Sequence, residues 1–542
     1  MTRGVGRRGR VAVAAAVLAV AGCSSGDDTS GSTTDAGTAE ASSDVGEPVE
    51  RTDDATEDDR ADETAGSGDA PSTDGVGTTD GVSTVSFDPA PIEWQDFNDQ
   101  VDVATVAVPV DYADREGERF ELFLARYRAL DPDRRIGSLL VNPGGPGFGG
   151  SDFAVFASQI FDQALLERFD IVGWDPRGTG ESDPPIDCID DYDPYYAELD
   201  HTPETDAERA AIVAAAEELA QRCVENNSEI IQHVGTNNSA RDIDVIRRAL
   251  GEDQISFFGF SYGSELGAAW ATMFPDTVRA AVFDGASDPE ADDLGFSLQQ
   301  QRGFEAAIST FLARCSSDSD CAFHNDGDAE AAFDELMQRL DEDPIDAASG
   351  RPPVNRDVAL TAVSQAMYRE ALWPALEQSL AEAADGDGGG LLALHDAYFR
   401  RAADGTWPNG LEAHQAISCA DEDERKTVEE EDAESPLFTE AAPRMNPAGS
   451  IGYFCTFFPP SIDPRVDITG AGAGPIVVIG TTGDPATPFE GTVRMANTLE
   501  DGRLVIVEAN EHTGYGLNRC VIDVVNDYLI DLVAPLDETE CR

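Results

Sequence analysis

The chain has 542 residues, 41% of them hydrophobic, which is enough for a large core with room for an inserted domain. Its charge is lopsided, with 105 acidic against 36 basic residues, a formal net charge of -69, and Lys426 as the single lysine. Such a surface repels phosphate backbones and anionic headgroups, so nucleic-acid binding is excluded and the acidity reads as a solvated shell rather than a binding site.

Arg3, Arg7, Arg8 and Arg10 form a positive start, followed by an apolar stretch from Val11 to Ala21 that is too short to span a bilayer. Small residues then lead to Cys23 in Val20-Ala21-Gly22-Cys23. Residues 1–22 read as a signal peptide similar to those of bacterial lipoproteins, in which the cysteine is lipidated. Cys23 would then anchor the mature chain outside the cytoplasmic membrane. Residues 23–86 carry no aromatic side chain and abound in Asp, Glu, Gly, Ser and Thr. They cannot bury enough apolar surface to offset their ordering entropy, so a disordered acidic tether is expected. No later stretch reaches the length of a transmembrane helix.

Order is expected from residue 87 on. Residues 101–112, VDVATVAVPVDY, and 119–128, RFELFLARYR, alternate like two half-exposed strands around the turn at Asp114 to Glu118. Residues 136–142, IGSLLVN, form a buried strand that runs into Pro143-Gly144-Gly145-Pro146-Gly147-Phe148-Gly149-Gly150. Gly145, Gly147 and Gly150 satisfy G-x-G-x-x-G, with Asp170 at the distance of a ribose-binding acid, so a dinucleotide site is one reading. Two prolines stiffen the loop, the strand is not the first, and an exported protein meets little nicotinamide. The better reading is a loop whose backbone N–H groups face a developing negative charge.

Phe169 to Trp174 make the next buried strand, closing on Asp175-Pro176-Arg177-Gly178-Thr179-Gly180-Glu181-Ser182. Helices are expected at 204–225 and 239–250. Residues 254–274, QISFFGFSYGSELGAAWATMF, then combine an apolar strand, Gly259-Phe260-Ser261-Tyr262-Gly263 and a helical segment. Strand, G-x-S-x-G and helix in that order place Ser261 as a nucleophile on a tight turn that needs glycine on both sides. Gly22-Cys23-Ser24-Ser25-Gly26 fits the same pattern, but no strand precedes it. A strand from Val278 to Asp284 follows.

Residues 286–469 break the alternation with amphipathic stretches at 297–314, 329–340, 357–383 and 391–402. Strands at 475–480 and 503–507 and helices at 489–499 and 521–532 then resume it over 470–542. The fold class is therefore α/β, a mostly parallel, doubly wound sheet in two parts (87–285 and 470–542), with a large helical cap inserted between core strands. Cys188, Cys223, Cys315, Cys321, Cys419, Cys455, Cys520 and Cys541 form an even set in an exported chain, without zinc-type spacing. Successive cysteines fall within one region each, so sequential disulfides are expected. No metal and no cofactor is expected.

A serine nucleophile needs a base and a group to orient that base. Of the histidines after Ser261, His324, His395 and His414 lie in the insertion, which leaves His512 behind the last core strand. Asp484, in Thr481-Thr482-Gly483-Asp484-Pro485, is the acid at a neighbouring strand end. Glu490 and Asp284 are alternatives, the first within a helix and the second after another strand, and Glu511 reads as a solvated neighbour of the histidine.

Assembled, these residues resemble α/β-hydrolases of the prolyl-iminopeptidase-like group, and within it actinobacterial tripeptidyl aminopeptidases and their membrane-anchored mycobacterial relatives. The matching segments are VPVDY at 108–112, NPGGPG at 142–147, the motif from Asp175 to Ser182, GFSYGS at 259–264, FDGASDP at 283–289, AISCAD at 416–421, and a C-terminal helix bracketed by Cys520 and Cys541. The resemblance spans Trp94 to Arg542. Two departures stand out: the glycine after His512 comes only after Thr513, and the family's cysteine pair around the first strand is missing from 94–112.

The resemblance implies hydrolysis of short peptides from a free amino terminus by Ser261, His512 and Asp484. The N–H groups of Tyr262 and Gly145 would hold the oxyanion, and Asp421 and Glu422 would meet the substrate ammonium. Peptides are then the partners, with the membrane reached only through the lipid anchor. An esterase with the same triad, and an envelope-binding lipoprotein that keeps the fold without catalysis, are the competing readings.

Overall fold

The computed structural model describes residues 87–542 and, within the expected tether, the antiparallel pair Thr78–Thr79 with Val82–Ser83. The signal peptide, Cys23 and the remainder of 1–86 lie outside the described residues. Among the described residues no helix is long and apolar enough to cross a membrane.

The chain builds a ten-stranded sheet. Its strands are β1 (Gln95–Asp96), β2 (Val101–Pro109), β3 (Arg119–Tyr127), β4 (Gly137–Asn142), β5 (Phe169–Trp174), β6 (Ile255–Phe260), β7 (Val278–Asp284), β8 (Ile476–Thr481), β9 (Gly502–Val507) and β10 (Thr539–Cys541). Their spatial order is β10-β9-β8-β7-β6-β4-β5-β3-β2-β1. The pairs from β5 to β10 are all parallel, while the hairpin β2–β3 and its neighbours are antiparallel.

Parallel strands are covered on both faces, which explains why β5, β6 and β8 are buried at every position. Alternate residues serve the two layers. Leu140, Val172, Phe257, Phe283 and Val478 face one apolar cluster with helices α2 (Thr236–Ala249) and α3 (Tyr262–Met273). Leu139, Val141, Phe258, Val282 and Val477 face the other, with α12 (Arg519–Asp531).

Between β7 and β8 the chain leaves the sheet as α4 (Asp293–Ser317), α5 (Ala329–Glu342), α6 (Arg356–Met367), α7 (Trp373–Ala384) and α8 (Gly389–Tyr398). These share an apolar cluster of their own around Phe311, Phe333, Val363 and Leu376. The single helix expected over 357–383 is two, because the chain breaks at Tyr368, makes a short turn over Glu370–Leu372, and restarts with Pro374 in the first turn. Two helices beyond those expected from the sequence follow, α9 (Gly410–Asp421) and α10 (Val428–Ala441). Ala413, Ala416, Ile417 and Cys419 of α9 join the main core, as do Val466 and Ile468, so the tail of the insertion packs with the sheet domain.

The eight cysteines pair sequentially, as expected: Cys188–Cys223, Cys315–Cys321, Cys419–Cys455 and Cys520–Cys541. The first ties the segment after β5 to α1 (Asp206–Asn226), and the third secures the end of α9.

Candidate active site

Strand register brings the site together. Asp284 is the neighbour of Phe260 on one side and of Ile479 on the other, so the turns after β6, β7 and β8 emerge side by side at the carboxyl edge of the sheet. Ser261 sits on the first of these turns with φ 55° and ψ -130°, a conformation that costs a non-glycine residue about 1–3 kcal/mol. Its N–H donates to the Asp284 carbonyl at 2.8 Å. A Cβ at Gly259 would lie 2.1 Å from the Gly263 carbonyl oxygen, and one at Gly263 would lie 2.7 Å from that of Asn142. Both glycines of the motif are therefore required by the fold of the turn.

On the turn after β8, Asp484 faces His512 through both carboxylate oxygens, at 2.9 and 3.0 Å from Nδ1. The carboxylate is itself fixed. Its Oδ1 accepts the N–H groups of Ala486 and Thr487 at 2.9 and 2.8 Å, and its Oδ2 accepts the Thr487 hydroxyl at 3.1 Å and the Thr513 N–H at 3.3 Å. Burial works against the imidazolium of His512. The Asp484 charge, its hydrogen bond and the Asp284 charge outweigh that, and raise the histidine above its ordinary value.

Two further contacts hold the histidine. Asp284 accepts the N–H groups of Gly514 and Tyr515, each at 2.7 Å, and burial pushes its carboxyl up to about 7. From the cap, the Tyr368 carbonyl accepts the His512 backbone N–H at 3.0 Å, and the Tyr368 ring stands edge-on to the imidazole at 5.3 Å. The break that ends α6 is what frees that carbonyl, since a continued helix would have consumed it. Glu490, the other alternative acid, lies in the first turn of α11 (Phe489–Thr498). Glu511 accepts the Glu370 N–H at 3.2 Å, a cap contact in place of the solvated position expected for it.

The glycine loop wraps the elbow. A Cβ at Gly144 would lie 2.8 Å from that of Ser261, and the Gly144 N–H is taken by the Asn142 side chain at 2.9 Å. Among the described residues nothing accepts from the Gly145 or Tyr262 N–H. These are the donors the sequence singled out. A Cβ at Gly147 would lie 2.3 Å from the Gly410 carbonyl and 2.5 Å from the His414 N, so the loop also seats the start of α9. That close packing leaves the loop no clearance for a pyrophosphate, and the dinucleotide reading ends there.

Asp421 and Glu422 close α9, but their surroundings differ. Asp421 accepts the Thr236 N–H at 2.6 Å and the Thr236 hydroxyl at 2.5 Å, and that hydroxyl meets the Tyr262 hydroxyl at 2.5 Å. Its carboxyl, raised to about 7 by burial, thus braces the residue after the nucleophile. Glu422 is raised to about 8 by burial and by Asp293, with which it shares a hydrogen bond, against the opposing charges of Arg425 and Lys426. Thr487, Asp284 and Tyr368 brace Asp484 and His512, a role the sequence does not show for them. Only Asp284 had a sequence signal, its place at a strand end, and the other two act through contacts that no local pattern encodes.

A family described as alpha/beta hydrolase fold matches residues 137–353, and one described as TAP-like protein matches 443–541. The chain is 35% identical over 486 residues to the serine protease Hip1 of Mycobacterium tuberculosis, covering 83% of this chain and 91% of that protein. It is 33% identical over 452 residues to carboxylesterase B of the same species, covering 81% and 86%. It is 30% identical over 462 residues to the tripeptidyl aminopeptidase of Streptomyces coelicolor, covering 81% and 84%.

Proposed function

Because the chain belongs to the α/β-hydrolase family and is a serine hydrolase with a TAP-like C-terminal region, we propose that it is an extracytoplasmic serine exopeptidase. In this reading it removes short peptides from free amino termini, and it is lipid-anchored through Cys23. The observation that carries the reading is the two-oxygen contact of Asp484 with His512 Nδ1 beside the strained elbow of Ser261.

Ser261 Oγ attacks the scissile carbonyl carbon and gives its proton to His512 Nε2. Asp484 holds Nδ1–H, fixing the tautomer, and stabilises the imidazolium that forms. The carbonyl oxygen becomes an oxyanion between the N–H groups of Gly145 and Tyr262, and each such donor lowers the barrier by about 3 kcal/mol. As the intermediate collapses, His512 returns the proton to the leaving amine and the acyl group remains on Ser261. Water then repeats the attack with His512 as base. Glu422, with Asp293 behind it, meets the substrate ammonium, and Asp421 keeps α9 and Tyr262 in place for that contact.

Hydrolysis of a free-amine tripeptide anilide and its N-acetylated twin, beside Ser261→Ala, tests the reading. Turnover of the free peptide alone, abolished in the variant, is expected. Equal turnover of both retains the nucleophile and discards amine recognition. The likeness to a carboxylesterase favours a second reading, an esterase whose lid admits an acyl chain. Preference for a p-nitrophenyl ester over the anilide would select it.

A further inference from the structure

Arg400 follows α8 with φ 55°, in the left-handed region where a helix end ordinarily carries glycine. Its guanidinium lies over the ring of Phe148, 3.7 Å from the ring centre. Phe148 belongs to the glycine loop, and its edge is 3.0 Å from where a Cβ of Gly145 would stand. The charge of Arg400 is thus one ring's width from a donor of the proposed oxyanion hole.

That guanidinium has no hydrogen-bond acceptor and no carboxylate within ion-pair distance among the described residues. Its surroundings make this unusual. The neighbouring Arg401 reaches Asp396, and Arg351 binds both Asp193 and Asp396. The residue is exposed to solvent, with one face of the guanidinium covered by the ring, and among the described residues the only charge acting against it is the more distant Asp152. An arginine stacked flat on an aromatic ring keeps its N–H edge free in a fixed plane, which suits a carboxylate approaching in that plane.

We propose that Arg400 is a specificity-determining residue that binds a carboxylate of the peptide substrate within a residue or two of the scissile bond. This rests on the peptidase reading above. Successive residues of an extended peptide are spaced by about 3.5 Å, so a group one ring away from Gly145 reads a position adjacent to the bond that is cut. The carboxylate is either an Asp or Glu side chain or the free C-terminus of a very short peptide.

The test compares kcat/KM of the full protein for paired peptides. One series carries Glu against Gln at the positions flanking the cleaved bond, and the other a free C-terminal carboxylate against its amide. The wild type is expected to favour one carboxylate series by tenfold or more, and the series that shows it identifies the source. Arg400→Gln, which removes the charge but keeps a polar side chain, should reduce that ratio to within about twofold, through KM more than kcat, and Arg400→Lys should restore part of it. Arg302→Ala controls for net charge, since Arg302 lines a separate cavity of about 290 Å³ with Leu298, Leu437 and Glu440. No carboxylate preference in the wild type, an undiminished preference in Arg400→Gln, or an equal loss in Arg302→Ala overturns the proposal. Failure of every peptide to turn over in a Ser261-dependent way instead removes the peptidase reading, and this assignment with it.

Discussion

Asp284 and Gly514 are joined by a 2.7 Å hydrogen bond from the Gly514 N–H to one carboxylate oxygen, and this bond, with its twin to Tyr515, anchors the loop two residues beyond His512. Asp284 is fully buried, lies at the end of the strand next to Ser261, and accepts the Ser261 N–H through its own carbonyl. One residue therefore fixes the backbone at Ser261 and in the loop that follows His512. Asp284→Asn keeps the shape but offers a single acceptor where two are needed, and turns an amide N–H₂ toward a backbone donor. Hydrogen bonds to a charged group are worth roughly 1.5–3 kcal/mol. A fall in kcat of about ten- to a hundredfold is expected, with KM changed far less, measured by steady-state kinetics.

The same variant should move the pH profile. Burial lowers the pKa of His512, but Asp484 and then Asp284 raise it past its ordinary value near 6.5. His512 acts as a base only when neutral, so kcat/KM should decline as pH falls, with its acid limb above about 6.5. Removing the Asp284 charge takes away one raising influence, and the limb should shift to lower pH. An unmoved or rising limb would mean that Asp284 holds the loop without touching the electrostatics of the base.

Thr487 gives Asp484 two donors, its N–H at 2.8 Å and its hydroxyl at 3.1 Å, and the hydroxyl also stands 3.3 Å from His512 Nδ1. Thr487→Val removes the hydroxyl and leaves the N–H. Asp484 keeps its three backbone N–H donors but loses the hydroxyl on Oδ2, so its two-oxygen contact with His512 Nδ1 is less firmly held. A loss of about tenfold in kcat is expected on the scale of one charged hydrogen bond, with the thermal midpoint within a few degrees of wild type. A wild-type kcat would show that the remaining donors to Asp484 suffice.

The core of this site is written in the chain because its chemistry needs local grammar. An elbow demands glycines at 259 and 263, whose missing side chains would strike backbone at 2.1 and 2.7 Å, and the strands around it are apolar runs that periodicity reveals. The supports of the triad are legible only in space. Tyr368 lies in what periodicity presents as one long helix, and no glycine or proline at that residue announces the break that turns its carbonyl to His512. For α9 the difficulty is different. Its buried face, Ala413, Ala416, Ile417 and Ala420, recurs at helical spacing, but it is mostly alanine with the buried Glu412 beside it, so the stripe is too weakly apolar to stand out.

In the exopeptidase proposed above, Glu422 meets the substrate amine while its neighbour Asp421 braces Thr236 and Tyr262. Glu422→Gln should raise KM for free-amine peptides by about tenfold and leave N-blocked esters unaffected, because Glu422, held protonated by burial and Asp293 in the free protein, ionises only against a bound ammonium, which the amide cannot do. Asp421→Asn should lower kcat for both substrate types, since its oxygens hold Thr236, and through it Tyr262, whose N–H is a proposed oxyanion donor. The double amide variant combines the two effects. Steady-state kinetics on the paired substrates separates them, and identical behaviour of the two single variants would dispose of this division.

Stability should fall as pH rises through neutrality, opposite to the usual expectation for a chain rich in carboxylates. Burial, the leading cause in each case, raises Asp175 to about 6, Asp284, Glu412 and Asp421 to about 7, and Glu422 to about 8. In the unfolded chain the same groups titrate near 4. Between about pH 4 and 8 the folded protein therefore binds more protons than the unfolded one, and the slope of stability with pH is negative. Asp396 works the other way. Its carboxyl is buried, but His395 and Arg351 lower it to about 2, so its contribution is present above pH 4 and disappears only in strong acid. The thermal midpoint should thus peak near pH 5 and drop by at least about 5 °C by pH 8.5, measured by calorimetry at fixed ionic strength. The drop should shrink in Asp421→Asn and Glu422→Gln, which remove two of the titrating groups. A midpoint that climbs from pH 5 to 8.5 would mean that these carboxyls are ionised and solvated in the folded protein.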